Sequence, residues 1–346
     1  MIPLLLGREQ VLAYRRRVGS LDRRLPYEPA SLRRVAWAGM QDSVPRAALL
    51  ALHARVHDVG PSAWEDPSLV QVWGPRHSVF AVAAEDRGVF TLGTAPEEPA
   101  RRVRGESQAD RLEALLGDGT DTYSHAGRAI GERPVMLRYA GATGRVLVRW
   151  DGARQPTIRI VARPALDLRE ARLELARRFL HVAGPATLVG LGWWAGMPPR
   201  IARDVLAALT PELVAVRTPV GDGWVLATDE AAFRADAEPA GATEPGGAPV
   251  VRLLSSGDPY LMAGERELLV ADDARRRALW PPATVWPGGV LLDGELVGTW
   301  RRAGARMTVR PWLSLTRTER EAVAAEAASL RLPEVPGPVA VAWDEA

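Results

Sequence analysis

The stretch GPATLVGLGWWAGMPPRIARDVLAALTPELVAVRTPVGDGWVLA, residues 184–227, decides how the chain is read. Residues 187–195 and 199–209 carry apolar residues at helical spacing, and Gly196-Met197-Pro198 between them is a helix stop followed by a start. Residues 213–218 and 223–227 then alternate around Val220-Gly221-Asp222, the mark of a hairpin. Two short helices and a hairpin make a helix-turn-helix unit with a wing.

The same order recurs toward the N-terminus. Residues 8–18 (REQVLAYRRRV), 29–39 (PASLRRVAWAG) and 45–57 (PRAALLALHARVH) read as helices, the first with a basic face and the third opened by a capping Ser43 and by Pro45. A hairpin follows, 69–73 and 79–82, around Gly74-Pro75-Arg76-His77. Residues 86–105 read as irregular, helices are expected near 107–117 and 123–131, and 145–150 with 157–161 form a hairpin turning at Asp151-Gly152. A long helix, 167–182, leads back to the opening stretch, and 235–249 reads as a linker. Strands are expected at 249–254, 290–292, 295–301, 306–311 and 338–343, with a helix at 316–331. The expected fold class is therefore α+β: tandem winged-helix modules (1–100, 101–183 and 184–235) braced by a C-terminal β-barrel-like region, 249–346.

With 346 residues, 47% hydrophobic and 25% charged, the chain has the composition of a globular protein of several packed units. No run approaches the roughly 18 apolar residues of a membrane helix, and the short apolar patch at the N-terminus has no basic region before it. A cytoplasmic location is expected. Cysteine is absent, which excludes disulfides, thiolate zinc sites and a Cys nucleophile. His53 and His57 are four apart on a helix, yet no HExxH-like pattern occurs and no metal or other cofactor is expected. The formal charge is only +2, but all 44 basic residues are arginine. Arginine forks onto phosphate oxygens and stacks on bases, which suits nucleic acid without proving it.

No P-loop, GxSxG or dinucleotide fingerprint is present, and Gly190-Leu191-Gly192 lies in an apolar helix where close packing explains it. Glu97-Glu98 and Asp272-Asp273 lie in charged, solvated stretches. Six blocks carry more: AGMQDSVPRAALLALHARV (38–56), PSLVQVWGPRHSVFAV (67–82), EDRGVFTLGTAP (85–96), GPATLVGLGWWAGMPPRIARDVLAAL (184–209), RLLSSGDPYLMAGERELLV (252–270) and DGELVGTWRR (293–302). In this order they resemble the AlkZ/YcaQ-type winged-helix DNA glycosylase superfamily. The resemblance implies three tandem winged helices braced by a β-barrel around duplex DNA, and excision of alkylated purines, N7-alkylguanine among them, including the bulky adducts met in antibiotic self-resistance.

The resemblance also implies a Gln-x-Gln or Gln-x-Asp signature before the third helix. Here the matching stretch is Gln41-Asp42-Ser43, with Ser43 in the third place and the carboxylate moved to Asp42. Gln41 is then the group that positions water, and Asp42 or Ser43 fills the second catalytic role. Both residue types equally suit a cap for the helix that follows. Arg46, Arg76, His77, Arg301 and Arg302 are candidate DNA contacts. Trp193 and Trp194 are neighbours on a helix and cannot both face the core, so one of them can stack on a lesion. Asp258-Pro259-Tyr260 reads as a turn shaping the cleft, which adds Tyr260 to the candidate lesion pocket. The expected partner is double-stranded DNA carrying alkylated purines, bound by a monomer. The alternative is a non-catalytic winged-helix regulator or an adduct-shielding resistance protein.

Overall fold

The computed structural model describes residues 3–44, 46–152, 154–235 and 247–344. Pro45 and most of the expected linker, 236–246, lie outside the described residues. Fourteen strands are described: β1 (Leu4–Leu5), β2 (Met40–Gln41), β3 (Leu69–Trp73), β4 (Val79–Ala83), β5 (Thr120–Thr122), β6 (Val146–Arg149), β7 (Thr157–Ile160), β8 (Leu213–Thr218), β9 (Gly221–Leu226), β10 (Val251–Leu254), β11 (Gly288–Leu292), β12 (Glu295–Ala303), β13 (Arg306–Pro311) and β14 (Ala340–Trp343). They form three sheets with helices packed between them, an α+β architecture.

The helices of the opening stretch lie where their spacing puts them. Leu188–Ala195 starts at Thr187, whose hydroxyl accepts from the Gly190 amide, and stops at Gly196 with φ of 69°. Pro199–Leu209 follows, with Pro199 in its first turn. The long helix Leu168–Ala183 is capped by Asp167, which accepts from the amides of Arg169 and Glu170. Residues 86–105, read as irregular, are largely helical: Arg87–Leu92 and Pro99–Leu116. Pro99 misleads because at the first helical position its missing N–H costs nothing.

The hairpins do not stand apart. β3 pairs with β4 and also, through Gln71 opposite Val148, with β6, giving one six-stranded sheet ordered β2-β4-β3-β6-β7-β5. β1 lies parallel to β8, so the first described residues join the β8–β9 hairpin. The C-terminal strands form an open sheet ordered β10-β11-β12-β13-β14, not a closed barrel. β14 is parallel to β13, which requires a crossover; the helix Arg317–Ser329 supplies it and packs on both edge strands, β10 and β14. The gap between the edges is thus filled by side chains, not by a hydrogen-bonded ladder. Asp293 and Gly294, both at positive φ, make the tight β11–β12 turn.

The largest core cluster joins Leu32, Leu49, Leu52 and Val56 of the N-terminal helical region to Val251, Leu253 and Val290 of the C-terminal sheet, and to Val323 and Ala327. A second lies among β3, β4 and the helices Leu168–Ala183, Leu188–Ala195 and Pro199–Leu209.

Candidate functional site

β2 is two residues long, and the chain leaves it directly into the approach to the helix Ala47–His53. Successive side chains of an extended segment point to opposite sides. Gln41 is half-buried, and Gly257 lies so close that a Cβ there would meet the Gln41 carbonyl at 3.0 Å. Its Oε1 accepts from Nη2 of Arg76 at 2.5 Å, and Nη1 of Arg76 donates to the Trp194 carbonyl. A guanidinium only donates, so the amide is oriented: oxygen toward Arg76, nitrogen away. Nε2 of Gln41 makes no hydrogen bond among the described residues.

Asp42 turns the other way and is 4% exposed. Its Oδ1 accepts from the Ala48 amide at 3.0 Å, and its Oδ2 accepts from Nε2 of Gln71 at 2.6 Å. Burial pushes the Asp42 carboxyl up to about 6, against the pull of those two bonds and of the Arg46 charge. Gln71 also donates to the Trp150 carbonyl and accepts from its amide, tying β2, β3 and the end of β6 together. The capping oxygen of Ala47–His53 is therefore that of Asp42. The Ser43 hydroxyl, expected as the cap, is buried without a hydrogen bond among the described residues.

Arg76 does not project from its hairpin as a wing-tip contact would. It is half-buried, with burial lowering its pKa to about 10, and its guanidinium lies 4.9 Å from the Trp193 ring centre. His77 lines a separate cavity of about 320 Å³ with Glu97, Arg101 and Tyr139. Arg46 is paired with Glu334 at 2.7 Å and lies over Trp64. Arg301 and Arg302 line a cleft of about 460 Å³ together with Arg306, Ser255, Ser256 and Trp286. Ser256 on its wall precedes the buried Gly257, which packs against Gln41, and Val44 and Ala47 line the same cleft.

Of the three aromatic candidates only Trp193 is open, at 40% exposure. Trp194 is stacked on Phe179 at 4.8 Å in the core, and Tyr260 is packed with Leu12, Leu21 and Trp280. A ring closed in by core side chains has no face to offer a base. Arg55 and Asp258 form a buried pair at 2.6 Å behind the 255–258 turn that carries Gly257. Among the described residues no group of three or more His, Asp or Glu is placed to hold a metal ion, and no helix is long and apolar enough to cross a membrane.

The family model "DNA glycosylase AlkZ-like" matches residues 33–331, a span that holds Gln41, the cleft and all three aromatic candidates. This chain belongs to the AlkZ-like DNA glycosylase family. Among solved structures it is similar to the Streptomyces sahachiroi DNA glycosylase AlkZ, with a TM-score of 0.75 and 19% identity over 99% of this chain and 100% of that one. A comparison with curated proteins finds no match. As an AlkZ-like glycosylase the chain acts on DNA.

Sequence reasoning missed Gln71 and the partners of Arg76. For Gln71 a signal existed: a lone amide in the apolar strand LVQVW is either exposed or satisfied inside. Arg76 and Gln41 are 35 positions apart with no local pattern to join them.

Proposed function

We propose that the chain hydrolyses the N-glycosidic bond of N7-alkylguanine and related bulky alkylpurines in duplex DNA, as a monofunctional, monomeric enzyme of winged-helix type. The family supports glycosylase chemistry, and the observation that carries the reading to this site is the Gln41 amide, held by Arg76 with its nitrogen unspent. An N7-alkylated guanine carries a positive charge. When its bond to C1′ breaks, the bonding pair goes to the base and neutralises that charge, leaving an oxocarbenium-like sugar. Water adds to C1′ and gives up a proton, so the products are a free base and an abasic site. Oε1 of Gln41 keeps a second lone pair for that water, and Nε2 can hold it or the sugar. Asp42 has both oxygens committed inside the fold, so it serves as a positioning residue that ties β2 to Ala47–His53. Ser43 is the other residue beside Gln41 for the second role, its buried hydroxyl holding no hydrogen bond among the described residues.

The open cleft lined by Val44, Ala47 and Ser256, with Arg301, Arg302 and Arg306 on its walls, supports DNA contact there and room for a large adduct. Such room fits self-resistance to a DNA-alkylating natural product. The spent Asp42 carboxylate favours a second reading, a non-catalytic adduct binder. Duplex carrying N7-methylguanine, incubated with protein and then treated with alkali, separates the two. Strand breaks at the lesion are expected from the native protein and are lost in Gln41→Ala, which still melts cooperatively although it loses the Arg76 bond. A mobility shift without breaks would establish the binder instead.

A further inference from the structure

Arginines that serve the fold of this protein spend their donors inside it. Arg55 grips Asp258, Arg145 holds Asp110 and Glu113, and Arg15 bonds three carbonyls. Arg266 does neither. Its guanidinium lies 4.7 Å from the ring centre of Trp280, 4.9 Å from that of Trp286 and 5.2 Å from that of Trp193. Trp193 and Trp286 are themselves nearly parallel, 6.5 Å apart at 20°. No ion pair or hydrogen bond engages the Arg266 guanidinium among the described residues. Burial lowers the pKa of Arg266, and Glu267, beyond ion-pair distance, opposes that by favouring the charged form.

Indole faces attract a guanidinium but take none of its N–H bonds. They hold its plane and stiffen its side chain, while its five donors stay unspent among the described residues. The edge of that fork matches a phosphodiester, whose two free oxygens accept parallel N–H bonds. The position matters as much as the chemistry. Trp193 also carries Arg76, which holds Gln41, and Trp286 lines the cleft with Arg301 and Arg302. Arg266 thus touches one ring that carries the Arg76–Gln41 pair and another that lines the basic cleft.

We propose that Arg266, caged by Trp193, Trp280 and Trp286, clamps a DNA backbone phosphodiester next to the nucleotide that is excised. The clamp rests on the duplex-DNA reading above and names a contact that reading does not contain. Trp193 and Trp286 act through Arg266 as positioning residues, and no base needs to stack on them. Removing the guanidinium removes one released counterion.

Binding of an undamaged fluorescent duplex across a sodium chloride series tests this without requiring any chemistry. Arg266→Gln is expected to bind about tenfold more weakly at low salt. The slope of log K against log salt should shrink by about 0.9, and the melting temperature should hold. A folded Arg266→Gln with the native slope overturns the clamp and leaves the DNA reading standing. If that variant does not fold, the native protein decides. Duplexes with single uncharged methylphosphonate linkages, scanned around an abasic-site analogue, should include one linkage that loses the same affinity and slope. No such linkage overturns the clamp. Native protein that binds no duplex at all overturns the clamp and the DNA reading together.

Discussion

A strand sends neighbouring side chains to opposite sides, and at the end of β2 this divides one sequence motif into two jobs. Gln41 is left with an unspent amide nitrogen, while Asp42 is drawn beneath the helix Ala47–His53. The motif was legible only through its resemblance, because local rules alone favour Asp42 and Ser43 as caps over chemistry. The structure adds a titration to this picture. Folded Asp42 has its pKa raised from 3.8 to about 6, so the folded state binds the proton more tightly than the unfolded chain. Its contribution to stability is full below about pH 4 and is lost as the pH rises through about 6. In Asp42→Asn this loss is absent, but the variant's amide nitrogen faces the Gln71 donor, at a cost of about 1–3 kcal/mol. The variant should therefore melt below the native protein at pH 4, with the gap narrowing or reversing by pH 7. Melting curves across that range check it, and a gap that widens with pH would show that Asp42 is stabilised as the anion.

Elements were read more easily than their contacts. Caps, stops and tight turns are local, and so Leu188–Ala195, Pro199–Leu209 and the β11–β12 turn were legible. The run Arg15-Arg16-Arg17 on the helix Arg8–Val18 was not, because a charge run reads as a solvated face. Arg15 and Arg16 are in fact buried and Arg17 is exposed. The reason lies on another element: Leu168–Ala183 ends with carbonyls that need donors, and Arg15 bonds Ala183 at 2.6 Å, Gly184 at 3.0 Å and Pro185 at 3.1 Å. Arg15 is a side-chain cap delivered from a distant helix. Arg15→Met should strand these oxygens and leave Glu265, 3.8 Å away, without its charge partner. A loss of about 3 kcal/mol or more is expected, against less than about 1 kcal/mol for Arg17→Met. Urea unfolding of the two variants measures the difference. Equal losses would mean that the run acts through its net charge.

At the scale of the whole molecule, the turn signals that mark separate units in the sequence hide how the units are joined. Nothing local announces that β1 pairs with β8, or that Gln71 lies opposite Val148, since such pairings depend on chain segments far apart. The C-terminal region shows the consequence most clearly. Its open sheet shares one apolar core with Leu32, Leu49, Leu52 and Val56, so 249–346 covers the N-terminal helices that carry the Gln41 junction. Exposing each such side chain costs about 1.5–3 kcal/mol, and a handful of them rivals the roughly 5–15 kcal/mol that keeps a domain folded. A chain ending at residue 235 should therefore lack native packing, with no cooperative melt and a weak near-ultraviolet dichroism signal. The full chain should melt with residues 29–81 and 251–339 in one transition. If the shortened chain melted sharply and still cut N7-methylguanine from duplex, the shared core would not be what holds Gln41 in place. The site would then belong to the N-terminal region alone.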